Sequence, residues 1–140
     1  MEDFKLTKSI KHILTTLEKC INHRLKEKDL SMSQGVILVK ISESEKGERS
    51  LKALEKEFSV AQSTIFGVIA RLEKKGLVTT YLHDNKTKVA RVTDEGRALT
   101  QFIMSSIHDV ESGMFDEFTE IEKMMFIELL KKMEFNLTNC

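Results

Sequence analysis

Between Gln62 and Lys88 the chain sets out side chains that can read a nucleic acid. Gln62, Ser63, Thr64, Gly67 and Arg71 are spaced to lie together on the outward side of one helix. A glutamine amide pairs with adenine, hydroxyls bond bases or phosphates, and an arginine fork fits guanine or a phosphate. Further on, Asn85, Lys86 and Lys88 crowd a polar tip that suits a minor groove or its phosphates. The charge has the matching sign. From Lys46 to Arg91 ten basic residues face five acidic ones, a local +5 in a chain whose net charge is zero. Phosphate contacts need such a surface; a solvated mixed-charge face is the plainer alternative.

Local elements must position these residues. Ser50 is a good N-cap for a helix Leu51–Phe58, in which Leu54 and Phe58 share a face with Leu51. After a turn at Ser59-Val60, a second helix runs from Ala61 to about Lys75. Ser59 and Gln62 have capping-box spacing, so this helix starts near or slightly before Ala61. Ile65, Ile69 and Leu72, with Val68 beside them, recur at helical spacing and should face the first helix. Gly76 stops the helix at a left-handed position. The β-branched runs Leu77–Tyr81 and Val89–Thr93 flank the tip His83–Lys88 and predict a hairpin. Two short helices and a hairpin make a winged helix-turn-helix, an α+β and mostly helical fold whose second helix enters the DNA major groove.

Three segments, in this order, resemble the MarR family of bacterial transcription regulators: Phe58-Ser-Val-Ala-Gln-Ser-Thr64, Arg71-Leu-Glu-Lys-Lys-Gly-Leu-Val78 and Val92-Thr-Asp-Glu-Gly-Arg97. The resemblance extends to the helical segments on both sides and so to nearly the whole chain. It implies a single domain over residues 1–140, with dimerisation helices at 4–30 and 97–136 and a DNA-binding winged region at 33–93. It also implies a short third strand near Arg49, repression as the mode of action, and a small aromatic or lipophilic effector bound between the dimer helices and the winged region. In the family an arginine at the position of Arg71 often braces the wing through its acid. Asp84 is the matching acid, so an Arg71–Asp84 ion pair competes with base contact. The chain departs from the family pattern at Glu55, Phe66 and Gly67, and in the wing, where Asn85 and Lys86 stand in place of arginines. A mid-helix glycine costs about 1 kcal/mol against alanine and asks for a reason.

The flanking helices read as follows. Leu6, Ile10, Ile13, Leu14, Leu17, Ile21 and Leu25 form a stripe along a helix from about Phe4 to Lys28. Asp29-Leu30-Ser31 ends it, and Ser31 or Ser33 caps a helix carrying Val36, Ile37, Val39 and Ile41. Gly47 reads as a turn. Thr93 caps a helix whose buried side is Ala98, Leu99, Phe102, Ile103, Ile107 and Val110, with an end or bend at Gly113. Thr119-Glu120 opens a last helix bearing Ile121, Met124, Met125, Leu129, Leu130 and Met133, and the tail from Asn136 should fray. One small winged helix cannot cover both terminal stripes. A homodimer follows, and with it a pseudo-palindromic double-stranded DNA site.

Other functions find less support. The sequence has no P-loop, no Gly-x-Ser-x-Gly and no metal-ligand motif, so neither an enzyme nor a cofactor is expected. No apolar run approaches a membrane span, the first residues lack a signal-peptide core, and cytoplasmic residence is expected. Cys20 could serve a redox switch, but beside the apolar stripe it reads as a small buried hydrophobe; Cys140 should be exposed. His12, His23 and His108 lack metal-ligand spacing. The rival reading is a winged helix that binds a protein through its wing or Phe66, with weak or no DNA binding.

Overall fold

A computed structural model describes residues 5–140, so the expected start of the first helix at Phe4 lies outside the described residues. Of the described residues, 5–108 form one compact unit and Asp109–Cys140 a second. The elements run α1 (Leu6–Leu25), α2 (Met32–Glu43), β1 (Glu48–Ser50), α3 (Leu51–Phe58), α4 (Gln62–Lys74), β2 (Val78–His83), β3 (Thr87–Val92), α5 (Asp94–Gly113) and α6 (Glu120–Thr138). The fold is the expected mostly helical winged helix-turn-helix.

Capping chemistry sets the boundaries. Ser31 and Gln34 form a reciprocal capping box at the start of α2. Ser50 Oγ accepts the Ala53 N–H at 3.1 Å and starts α3, and Thr93 Oγ1 accepts the Gly96 N–H at 3.0 Å at the start of α5. Gly76 has φ +75°, and the Leu77 N–H returns to the Leu72 carbonyl at 3.0 Å, which closes α4 with a Schellman-type turn. The expected capping box at Ser59 does not form. Ser59 is itself left-handed, φ 50°, and ends α3, while Ala61 precedes α4 with no side-chain cap.

The sheet has the order β1-β3-β2, antiparallel throughout, and β1 is the short third strand expected near Arg49. The hairpin strands reach two residues further toward the tip than the β-branched runs suggested. Asp84 and Asn85, both at positive φ, open the three-residue loop 84–86 that joins the strands, with the Lys86 N–H returned to the His83 carbonyl at 3.0 Å. Beneath the sheet and helices, Leu25, Leu38, Ile41, Leu54, Ile69 and Leu72 are fully buried.

The stripe of α1 divides. Ile21 and Leu25 enter this core, whereas Leu6, Ile10, Ile13 and Leu14 are exposed. Cys20, expected to be buried, is also exposed, because it lies off the face that Ile21 and Leu25 bury. On α5, Ile103 is buried, Ala98 is exposed, and Leu99, Phe102, Ile107 and Val110 are intermediate. In the second unit Phe115, Phe118 and Phe126 meet edge to face with centroids 5.3–6.3 Å apart. A capping box of Thr119 and Glu122 starts α6, which continues to Thr138 where fraying was expected. No residue of α6 is buried; Ile121 is 70% and Leu137 71% exposed.

Candidate nucleic-acid interface

α4 buries Ile65, Val68, Ile69 and Leu72. At 3.6 residues per turn, the line furthest from that face is Ser63, Gly67, Ala70 and Lys74. Gln62 and Phe66 flank it on one side, Thr64 and Arg71 on the other. Gln62, Ser63, Thr64 and Arg71 are exposed and Gly67 is half-buried. The outermost ridge is therefore small in bulk, and a Cβ on Gly67 would meet nothing within 4 Å. Sequence reasoning missed the opening of the helix. With no side-chain cap on Ala61, the first amide donors of α4 are left for an outside acceptor, and a phosphate suits that position.

At the wing, Asn85 and Lys86 are exposed and Lys88 is half-buried. Gln62, Lys86 and Lys88 line one cleft together with Leu51, Lys52, Glu55, Phe66 and Thr87, three lysines against one acid. An adjoining cleft holds Lys52, Glu55, Lys56 and Thr87. The fold thus joins one end of α4 to the wing through α3, and brings in two lysines that the sequence reading had counted only as charge. Ser63, Thr64, Gly67, Arg71 and Asn85 lie outside that cleft, on the ridge of α4 and at the hairpin tip.

The basic residues divide by use. Glu57 of α3 accepts Arg49 Nε at 2.6 Å and lies 3.0 Å from Lys40 Nζ, joining α2, β1 and α3. The Lys40 hydrogen bond, and after it Arg49, holds the Glu57 carboxyl below its ordinary range against the opposing effect of burial. Glu48 accepts the Tyr81 hydroxyl and, at 2.8 Å, Arg91 Nη2 across the three strands. Tyr81 first and Arg91 second lower its pKa, while the phenol and the guanidinium are both raised, chiefly by their hydrogen bonds to Glu48. Lys75 donates to Gln34 Oε1 at 2.9 Å and to the Asp29 carbonyl. Among the described residues, Lys52, Lys56, Arg71 and Lys86 have no such partner.

Of the two alternatives for Arg71, the ion pair with Asp84 does not form. Asp84 sits in the tight hairpin turn with its Oδ2 3.1 Å from His83 Nε2, and Arg71 is left exposed. No three His, Cys, Asp or Glu side chains group as a metal site among the described residues. No described helix is long and apolar enough to cross a membrane.

Known proteins share this arrangement. A family model described as MarR family matches residues 30–87, from the end of the α1–α2 turn through the tip of the wing. The transcriptional repressor YetL of Bacillus subtilis is 26% identical over 130 residues, covering 91% of this chain and 73% of that protein. A MarR family transcriptional regulator from Listeria monocytogenes, solved in complex with a 26mer DNA, is 27% identical with a TM-score of 0.84, over 99% of this chain and 91% of its own. BpsR of Bordetella bronchiseptica, whose DNA binding is regulated by 6-hydroxynicotinic acid, shares the fold with a TM-score of 0.82 at 20% identity, over 96% of this chain and 97% of its own. The helix-turn-helix and wing thus match the MarR family model, and nearly the whole chain is similar to these transcriptional regulators.

Proposed function

We propose that the chain is a homodimeric, sequence-specific repressor that binds double-stranded DNA. α4 lies in the major groove, where Gln62, Ser63, Thr64, Gly67 and Arg71 face base edges and phosphates. Asn85, Lys86 and Lys88 carry the wing to the flanking minor groove or backbone. The observation that carries this reading is the convergence of α4 and the wing on one lysine-rich cleft whose cations are not tied to carboxylates.

The exposed apolar residues of α1 and α6 support the dimer, since apolar surface on this scale is covered in a stable protein. Two-fold symmetry then gives a pseudo-palindromic operator with half-sites about one helical turn apart. A small aromatic or lipophilic effector fits the reading, as BpsR places such a control on the same fold. Such a regulator acts in the cytoplasm, beside the chromosome.

The test is fluorescence anisotropy with random duplex and with promoter DNA of the protein's own gene, at two salt concentrations. Binding that falls steeply with salt and is at least about a thousandfold tighter to its own promoter is expected. No binding even at low salt would favour the protein-interaction reading instead.

A further inference from the structure

Phe66 is the one aromatic residue of α4, and it stands beside the small ridge of the helix, 38% exposed. On the wing side Lys88 Nζ sits 5.4 Å from its ring centroid. Gln62, a turn earlier, lines the same cleft. Gly67 next to it adds no bulk, so nothing at that position holds the ring away from a surface lying against α4. Phe66 lies off the buried face of α4, which Ile65, Val68, Ile69 and Leu72 form. The part of the ring still in water gains further free energy by covering an apolar partner. In the cleft that Phe66 lines, Lys52, Lys86 and Lys88 outnumber the single acid Glu55, a balance that favours a polyanion over an apolar peptide. The apolar group that a polyanionic duplex offers in its major groove is the C5-methyl of thymine.

We propose that Phe66 is a specificity-determining residue that packs on a thymine methyl in each half-site, so that the operator carries a required thymine on the wing side of α4. Lys88 holds the ring in place while neutralising phosphate nearby, and Gln62 reads the base next to that thymine. This inference rests on the reading of α4 as the helix in the groove.

Duplexes selected by the protein from a random library supply the probe. Each thymine in the selected motif is replaced singly by deoxyuridine, which removes the methyl group and keeps the pairing. At one thymine per half-site the wild-type protein should bind about fourfold more weakly, the effect of one buried methyl. Phe66→Ala should bind the thymine and deoxyuridine duplexes equally, and Phe66→Leu, which keeps an apolar side chain and guards against a folding defect, should retain part of the difference. Indifference of the wild type to every replacement, or an undiminished penalty in both variants, would overturn the role of Phe66 while leaving the DNA-binding reading intact. Absence of salt-sensitive binding to any duplex would overturn both.

Discussion

Two helical glycines should respond to the same substitution with opposite signs. Gly96 lies in the first turn of α5, beside the end of the hairpin. A Cβ there would overlap the Leu77 carbonyl oxygen and come within 3.0 Å of Val92 Cγ2. The carbonyl cannot swing aside freely, because it accepts the Thr93 N–H at 3.0 Å, and Thr93 Oγ1 in turn donates to the Gly76 carbonyl at 2.7 Å. Forcing a methyl into a filled site costs about 1–3 kcal/mol. The helix-propensity gain of alanine over glycine returns at most about 1 kcal/mol. Gly96→Ala should therefore lose up to about 2 kcal/mol. With a urea slope of about 2 kcal/mol per molar, the unfolding midpoint falls by as much as about 1 M. Gly67 has open space around it and ordinary helical backbone, so Gly67→Ala should gain about 0.5–1 kcal/mol. Both variants are to be unfolded in urea at the protein concentration used for the wild type, since the stability of an oligomer depends on concentration. A midpoint for Gly96→Ala at or above wild type would refute the steric reasoning, because propensity alone would then explain both sites.

Stability should also respond to acid through Glu57. Its carboxyl is held below the ordinary 4.5 by Lys40 and then Arg49, so the stability it contributes is complete above the unfolded value and is lost as pH falls through the lowered one. The unfolding midpoint of Glu57→Gln should fall less steeply than that of wild type below about pH 5; parallel curves would remove Glu57 as a source of the acid response. Met125→Asp, at a 57% exposed position on α6, should shift the protein from dimer toward monomer in sedimentation velocity at micromolar concentration, and an unchanged sedimentation coefficient would show that this face of α6 lies outside the interface.

The fold was legible in the sequence wherever one residue served one local role. Ser50, Ser31 and Thr93 each have a single helix to cap, and Gly76 adopts the positive φ that only glycine takes without strain. Ser59 was misread because a two-residue turn leaves one serine within reach of two helices. The reversal of the chain after α3 needed a left-handed residue more than α4 needed a cap. Cys20 was misread because a seven-residue stripe suggests one continuous buried face, whereas the chain's own core covers only its Ile21–Leu25 end. For the site, periodicity sufficed to place Gln62, Ser63, Thr64 and Arg71 outward. The company of Lys52 and Lys56, and the diversion of Asp84 to His83, depend on how α3 and the hairpin fold back, and no local pattern encodes that.

Lys75 anchors the reading head from behind. It stands at the end of α4, yet its ammonium group grips the Asp29 carbonyl and Gln34 Oε1, at the corner where α1 gives way to α2. The tail of α4 is thus tied to that corner by a side chain far from Gln62, Ser63 and Thr64, and none of the residues that open the helix takes part in holding it.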